Sequence, residues 1–528
     1  MTSSPNSFES QKLSTNLQQD TESAAESVLA YLQINAAKLK SIQPHLKRSH
    51  YRAVINWLSR YKVQPNDSQL KQVWGCLQAF HHLCEVEAWD KAAALASGGA
   101  MLKVSLQASD KLENTSTLEP FHVQLGNFGY YNEQIKLYQR LLGKLDYQWD
   151  ASCLNGLGLA HRALGKYYQS IEFHKQQLTL TRKIGDKPKG HALRDRQSEE
   201  NALCNLGNVY GSIEDYQEAI NYYQQALKIA HQISNHKGKS QILGNLGLIY
   251  RLLGNHRQAI KYHIQQLKIA QKIEDKESFG NALGNLGILY YFSGDYQLSI
   301  EHLQQSLLIA AQRGNKIEEA MVLGSVGNVY YALQNYSVAL DYLNRQLTLS
   351  TEIGFLEGKE KALGNLAVVY HSQGKYQEAL NYHQQKLVLA KQLGDRQGEA
   401  NTLTNLGNTY TCLGEYEKAI ECHKQSLAIS AGLKDNFAAA AAIHNLSDAY
   451  RLQKDFALAV SMGMRSLHIF DCINSPQAEM AMITLSKIAL EIGLEEYVTV
   501  VEEQLEIIKQ QKGGEAAVER LRELLFEN

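Results

Sequence analysis

The chain has 528 residues, with 53 basic and 54 acidic side chains and a formal net charge of −1. This balance gives no net positive electrostatic field that would attract nucleic acid or anionic lipid, so we expect no nucleic-acid partner. The seven cysteines are scattered and include no CxxC pair, which argues against a disulfide framework or zinc module and favours a reducing compartment. Because no run of about 18 apolar residues and no signal-peptide pattern is present, we predict a cytoplasmic protein with no transmembrane segment.

The first fifth of the chain combines a polar tail with a helical region. Residues 1–21 are rich in Ser, Thr, Asn and Gln, which predicts a disordered tail. From residue 22 to 115, apolar residues at helical spacing predict one helix ending near Pro44, a second from Tyr51 to Tyr61 and a degenerate helical pair. Basic residues surround the first two helices, and their acidic neighbours favour a solvated surface over a site for nucleic acid or membrane.

Residues 201–480 form seven consecutive blocks of forty residues that share one pattern. The blocks begin at Asn201, Gln241, Asn281, Met321, Lys361, Asn401 and Ala441. A period between about 20 and 50 residues is typical of a solenoid, in which each unit buries its apolar face against its neighbours. No proline lies between Pro188 and Pro476, so this span can be almost entirely helical.

Each block contains two helical patterns, which we call helix A and helix B. In the first block, LCNLGNVY places two leucines, a glycine and Tyr210 on one stripe of helix A, and Tyr216, Ala219 and Leu227 mark the stripe of helix B. Rings and leucines on one stripe are typical of packing positions. We expect the helix A glycine to allow close approach of helix B, and a glycine between the helices, as at Gly254, to adopt a left-handed conformation.

Histidine also recurs at one position of helix B, as His174, His263, His383 and His423. Tyrosine or leucine replaces it in most other repeats, which indicates a packing position. Metal ligands must converge on one point, whereas these rings lie one repeat or more apart. We therefore predict neither a metal site nor a bound cofactor.

The pattern Leu-x2-Leu-Gly-x2-Tyr at residues 203–210, followed by Ala-x3-Tyr-x2-Ala at 219–226, resembles the tetratricopeptide repeat (TPR). The chain differs from that repeat in a Leu in place of the first Trp, a missing terminal Pro and a period longer by six residues. In these features it resembles the long repeats of the Pins/LGN adaptors and kinesin light chain. The stretch FHHLCEVEAWDKA at residues 80–92, followed by LGNFGYYNEQIKLYQRLLGKL at 125–145, also resembles the N-terminal part of TPR-rich proteins of photosynthetic bacteria. The resemblance implies an all-α, right-handed TPR superhelical solenoid of stacked helix-turn-helix units.

Asparagine recurs on the side of helix A opposite its apolar stripe. Positions 1, 5, 8 and 12 of each block lie four, three and four residues apart and therefore share one face, which we call the polar face. A carboxamide offers both a donor and an acceptor, as the main chain of an extended peptide requires, and the resemblance implies that helix A lines the binding groove. In the alternative interpretation, the asparagines bond to neighbouring helices and fix the superhelix.

The candidate peptide-binding residues are thirteen amide and basic side chains of helix A. They are Asn201, Asn205, Asn208, Asn245, Arg251, Asn285, Asn328, Lys361, Asn365, Asn405, Asn408, Asn445 and Arg451. Apolar residues take the place of asparagine at position 8 of three blocks, as Leu248, Ile288 and Val368. We expect these three to supply shallow pockets for side chains of the ligand.

Two further segments depart from the forty-residue pattern. The step from Tyr167 to Tyr216 is nine residues longer than the period, and the surplus predicts a loop insertion at 187–196. Beyond residue 480 the pattern decays, which predicts a decayed repeat and a capping helix at 481–528. The predicted organisation is thus a tail at 1–21, a helical region at 22–115, the TPR solenoid at 116–480 and this cap.

No GxSxG, HExxH or GxxxxGK[ST] sequence occurs, and repeat position explains nearly every recurrent residue. We therefore predict a non-enzymatic adaptor or scaffold that binds extended segments of a partner protein. An assembly factor is one version of this hypothesis. The alternative is a peptide-sensing signalling regulator whose N-terminal helical region is the effector.

Overall fold

A computed structural model describes residues 27–61, 67–98, 120–185, 192–511 and 514–526 of the chain. Within these ranges the chain is α-helical and contains no β-strand, so the predicted all-α fold of stacked helix-turn-helix units is confirmed. The predicted disordered tail lies outside the described residues. The chain divides into two compact units, Met1–Asp275 and Lys276–Asn528.

In the first unit, a helical turn at 27–31 and a 3₁₀ helix at Ala36–Ser41 precede the longer helices. The α-helices of this unit are His45–Arg60 (α1), Gln69–Glu85 (α2), Trp89–Ser97 (α3), Phe121–Asn127 (α4), Tyr131–Leu141 (α5), Tyr147–Ala163 (α6), Tyr167–Gly185 (α7), Ala192–Ser212 (α8), Tyr216–Gln232 (α9), His236–Leu252 (α10) and His256–Lys272 (α11). From α6 onward, each even-numbered helix is a helix A and the next is its helix B.

The second unit continues the same alternation as far as α21. Its α-helices are Lys276–Phe292 (α12), Tyr296–Arg313 (α13), Lys316–Ala332 (α14), Tyr336–Glu352 (α15), Leu356–Ser372 (α16), Tyr376–Leu393 (α17), Arg396–Cys412 (α18), Tyr416–Leu433 (α19), Asn436–Leu452 (α20), Phe456–Cys472 (α21), Ala478–Ile492 (α22), Leu494–Lys509 (α23) and Gly514–Phe526 (α24). The helices α22–α24 occupy much of the segment predicted to be a cap. The domain boundaries themselves stay predictions.

In five of the seven forty-residue blocks, a left-handed residue followed by a capping side chain joins helix A to helix B, whereas Lys375 and Glu415 at the cap position form no such bond. Gly254 and Gly294 have φ values of 70° and 79°, which confirms the predicted conformation. The side chain of the next residue caps the start of helix B, because it accepts a hydrogen bond from a backbone N–H in the first turn of that helix. Asn255 accepts from the Gln258 amide at 3.1 Å, and its counterpart in the next repeat does the same. The turn therefore ends one helix and begins the next within three residues.

A helix B side chain packs directly over the glycine of helix A. A Cβ atom on Gly247 would lie 2.5 Å from His263 Nε2, and one on Gly407 would lie 2.4 Å from the His423 ring. Where a leucine replaces the ring, a Cβ on Gly287 would lie 2.5 Å from the leucine Cγ. The predicted close approach of the two helices at the glycine is thus confirmed.

Four of the seven helix A tyrosines of the forty-residue blocks stack on tyrosine rings of helix B. The ring centroids lie 5.3 Å apart for Tyr210 and Tyr222, and 5.7 Å apart for Tyr330 and Tyr342. In both pairs the rings are nearly parallel, with interplanar angles of 16° and 8°. These tyrosines are therefore packing residues, as predicted.

The N-terminal region differs from its predicted helices. The first predicted helix breaks at Gln33, which has a φ of 53°, and a 3₁₀ helix capped by Asn35 follows it. The second helix begins at His45, six residues before the predicted start. Buried apolar residues from α1 to α6, with Val54 and Leu157 among them, belong to one hydrophobic cluster. The N-terminal helices and the first repeats therefore share a core.

The predicted loop insertion is wrong for residues 192–196, because α8 already begins at Ala192. Asp195 is buried, and Glu199 forms ion pairs with Arg182 and Arg196 at 2.8 Å each. The pair with Arg182 connects α8 to the end of α7. Residues 187–191 of the predicted loop lie outside the described residues.

The buried histidines predict how stability depends on pH. Burial lowers the pKa of each recurrent helix B histidine from 6.5 to about 4, and these residues are His174, His263, His383 and His423. Since the unfolded chain takes up protons first as the pH falls, their contribution to stability is full above about pH 6.5 and is lost progressively toward pH 4. Each ring accounts for roughly 3 kcal/mol of the complete loss. Urea unfolding at pH 7 and pH 5 measures the first part of it.

A matched variant separates the histidines from other titrating groups. In His423→Leu, the new side chain is one that the chain itself uses at the equivalent positions Leu303 and Leu343. We expect this variant to lose less stability between pH 7 and pH 5 than the wild type. An unchanged difference between the two pH values would contradict the assignment.

Candidate functional site

The polar face runs along every helix A of the repeats and is separate from the core. In the first block Leu206 is fully buried, whereas Asn201 is exposed and Asn205 is half-buried. The same difference recurs in the second unit, where Asn408 and Lys361 are exposed. The polar face is therefore at least partly exposed to solvent, whereas the apolar stripe is buried.

In the first unit, two asparagine amides of α8 bond to other side chains of helix A. Asn205 Nδ2 donates to Asn155 Oδ1 at 2.8 Å, which joins α8 to α6. Asn201 Oδ1 accepts a long bond of 3.4 Å from Gln197 within its own helix. The bond of Asn205 favours the packing interpretation for that residue.

A third amide of α8 connects helix B to the following repeat. Asn208 Oδ1 accepts hydrogen bonds from the Tyr223 hydroxyl at 2.7 Å and from Asn245 Nδ2 at 3.1 Å. Three helices, α8, α9 and α10, therefore meet at one carboxamide oxygen. These contacts extend the packing interpretation to Asn208 and Asn245.

In the second unit, the equivalent amides are unbonded. Within residues 276–511 and 514–526, the structure shows no hydrogen bond to the side-chain amide of Asn285, Asn328, Asn365, Asn405, Asn408 or Asn445. None of their amide nitrogens and oxygens is buried away from solvent without a hydrogen-bond partner. Their donors and acceptors are therefore open to solvent.

At position 8 of the repeat, the difference between the units has a local cause on helix B. The residue that packs over the helix A glycine is Tyr223 in the first block, and its hydroxyl reaches Asn208. The residue at the same place opposite Asn328 is Leu343, which has no donor. In the block that begins at residue 401 it is His423, whose two ring nitrogens are buried and unbonded. The identity of the residue fifteen positions after the asparagine is the signal in the sequence that could have revealed this difference.

The three charged candidates lie in different surroundings. Lys361 forms an ion pair with a glutamate one turn earlier, at 2.7 Å. Arg451 forms ion pairs with Asp448, at 2.8 Å, and with Glu491 on α22. Arg251 forms no ion pair with any described residue, and its Nε is buried without a hydrogen-bond partner. Its charge is therefore the least compensated of the three.

Apolar side chains lie among the unbonded amides of the second unit. Val368 occupies position 8 of its block and is 36% exposed. Met321 at position 1 and Phe292 at position 12 are 52% and 56% exposed, and the candidate site predicted from the sequence did not include them. Their spacing on the polar face was the signal that could have found them. Leu248 and Ile288, which were also predicted to face a ligand, are half-buried and expose a smaller fraction of their surface than Val368 does.

The described part of the chain contains neither a candidate metal site nor a candidate membrane-spanning helix. No group of three or more His, Cys, Asp and Glu side chains in it is arranged to hold a metal ion. Its recurrent helix B histidines are buried, and three of the four pack over helix A glycines. Likewise, none of the helices it contains combines the length and apolar character needed to cross a bilayer.

Comparison with known families identifies the repeated unit. A family model described as the tetratricopeptide repeat matches residues 198–272, 278–352, 359–431 and 399–471. A second model with the same description matches residues 153–188. Together the matches cover more than half of the chain. A comparison with curated proteins found no match.

Solved structures with similar folds share little sequence with this chain. A signal transduction ATPase with a tetratricopeptide repeat sensor from Pyrococcus horikoshii is 17% identical, with a TM-score of 0.48, over 82% of this chain and 67% of that one. A Rap protein complexed with competence and sporulation factor is 15% identical, with a TM-score of 0.45, over 76% of this chain and 99% of that one. Kinesin light chain-like repeats from Podosopora anserina are 19% identical, with a TM-score of 0.33, over 37% and 97%. At these values no function is transferred from them.

Two equivalent asparagines should respond differently to truncation. Asn208→Ala removes the partner of the Tyr223 hydroxyl, so we expect a loss of about 1 kcal/mol in the free energy of unfolding. Asn328→Ala removes no hydrogen bond within the described residues and introduces a better helix former, so stability should be unchanged or slightly higher. Chemical denaturation of the two variants measures the difference. Equal losses in both would show that the unbonded amides of the second unit also serve packing.

Proposed function

Because this chain belongs to the tetratricopeptide repeat family, we propose that it is a non-catalytic adaptor for a partner protein. An extended segment of that partner would lie along the polar face of the second unit. The amides that would donate to and accept from its main chain are half-buried or exposed, and they belong to Asn285, Asn328, Asn365, Asn405, Asn408 and Asn445. An assembly factor is one form of such an adaptor.

The unbonded amides are the observation on which this proposal rests. Asparagine is a weaker helix former than alanine, by roughly 0.6 kcal/mol in a helix interior. In the first unit hydrogen bonds to Tyr223 and neighbouring asparagines offset that cost, but in the second unit no bond within the described residues does so. A ligand main chain offers the same pairing of donor and acceptor at each residue, whatever its side chains. It would therefore suit a series of equivalent amides.

The apolar side chains on the same face would provide anchors. Met321 and Val368 flank the amides of α14 and α16, and both are partly exposed. Burying such side chains against an apolar residue of the ligand contributes about 25 cal/mol for each Å² removed from water. Specificity would then come from these positions and affinity from the amides.

The regulator hypothesis, in which the N-terminal helices are an effector, stays a prediction.

The proposal predicts a loss of binding without a loss of fold. A partner is first identified by cross-linking and affinity purification with the full-length chain, and its binding segment is then synthesised. In the double variant Asn328→Ala/Asn408→Ala we expect the Kd for that segment to rise by about tenfold or more, because each truncation removes hydrogen bonds worth about 1 kcal/mol. Fluorescence anisotropy measures the Kd, and circular dichroism checks that the melting temperature is unchanged.

A matched control uses asparagines of the same unit on helix B. Asn344 on α15 and Asn381 on α17 are exposed and lie off the polar face. The double variant Asn344→Ala/Asn381→Ala should bind the segment as the wild type does. If both double variants weaken binding equally, or if neither does, the polar face of the second unit is not the binding surface.

A further inference from the structure

Arginine occupies position 11 of the repeat in three helices, and one of the three is neutralised by acidic neighbours. Arg451 on α20 lies between Asp448 and Glu491 and forms ion pairs with both. Arg162 on α6 and Arg251 on α10 form neither an ion pair nor a side-chain hydrogen bond with any described residue. The two uncompensated arginines both belong to the first unit.

Both arginines are partly buried, so their charge is incompletely solvated. Arg251 is half-buried, and its Nε is shielded from solvent without a partner. Burial lowers the pKa of the adjacent His263 to about 4, and the positive charge of Arg251 contributes to that shift. Arg162 has the same relation to His174 in its own repeat. The terminal guanidinium nitrogens of both arginines, unlike Arg251 Nε, are not shielded from solvent, so an anionic ligand can reach them and supply the partner that they lack among the described residues.

The polar face between the two arginines contains no acidic residue. On α6, α8 and α10, the polar face and the adjacent positions 4 and 11 contain no Asp or Glu. The helix between them has Gly211 at position 11, and a Cβ placed there would meet only Ile249 Cδ1, at 3.0 Å, among the described residues. No acidic side chain at these positions therefore competes with a ligand for the two guanidinium groups.

We propose that the first unit binds an extended, acidic segment of a partner protein, with one carboxylate on Arg162 and a second on Arg251. Helix α6 contacts α8, and α8 contacts α10. Packed helices lie about 8–10 Å apart, which places the two positions roughly 16–20 Å apart. An extended chain rises about 3.3 Å per residue, so the two acidic residues are separated by about five or six positions. Each guanidinium can donate two parallel hydrogen bonds to the oxygens of one carboxylate.

This inference rests on the proposed function in one respect, which is that both take the ligand to be an extended protein segment. The two sites are separate, because the arginines lie in the first unit and the unbonded amides lie in the second. A protein carboxylate is favoured over nucleic-acid phosphate by the spacing of the charges. Two isolated cations roughly 16–20 Å apart would neutralise few of the closely spaced phosphates of a strand. They match two separate acidic side chains instead.

Selection of a random 12-residue peptide display library on the full-length chain tests the site. The wild type should enrich peptides with two Asp or Glu residues five or six positions apart, and Arg162→Gln/Arg251→Gln should not. For a selected peptide, each single arginine variant should raise the Kd by about tenfold, and so should Glu→Gln in the peptide. The melting temperature should be unchanged, because neither arginine forms an ion pair with a described residue of the folded chain.

Three controls decide the outcome. Arg257→Gln removes an exposed arginine of α11 and should leave the Kd unchanged. The Asn328→Ala/Asn408→Ala variant should also bind the acidic peptide normally, so failure of one site leaves the other intact. A twelve-residue oligothymidine should not displace the peptide. The inference is overturned if no acidic pair is enriched, if Arg257→Gln weakens binding equally, or if the oligonucleotide competes.

Discussion

The packing of a helix B side chain over a helix A glycine is the contact on which five of the seven forty-residue blocks depend, and Ala367 and Ser447 replace that glycine in the other two. At Gly247 and Gly407 the opposing ring lies where a Cβ atom would be, so the two helices approach more closely than other residues allow. That approach sets the helix pair, and the stacked tyrosines beside it, such as Tyr210 on Tyr222, complete the pair. It also fixes the direction of the remaining faces of helix A. The polar face is therefore positioned by a contact in the core.

Much of the repeat could be predicted from the sequence because its determinants are local and periodic. Leucines at helical spacing, a glycine at the crossing point and a glycine in the turn each have one physical reason, and each is found as predicted. The N-terminal helices were harder to predict because they lack this repetition. A left-handed residue at Gln33 interrupts an apparently continuous apolar pattern. The start of α8 at Ala192 was missed because its first turn lies outside the forty-residue pattern.

The sequence could predict which face of helix A carries the candidate site. It could not predict which side chains on that face are free of hydrogen bonds to other described residues. Asn208 and Asn328 occupy the same position of their blocks, yet one is bonded and the other is not. Their difference depends on Tyr223 and Leu343, which lie on another helix. Likewise, the arginines at position 11 differ in whether acidic partners lie beside them. Position in a repeat determines where a side chain lies, whereas its neighbours determine whether it is available.

The residue that covers the helix A glycine has a consequence for how such a protein changes over evolutionary time. In this chain it is a tyrosine, a histidine or a leucine, and all three are accommodated by the same backbone. A tyrosine there engages a surface amide, as Tyr223 does with Asn208, and a leucine releases it. A single substitution inside the core can therefore redistribute the recognition groups on the outside without altering any surface residue. Comparison of surface residues alone would overlook such a change in specificity.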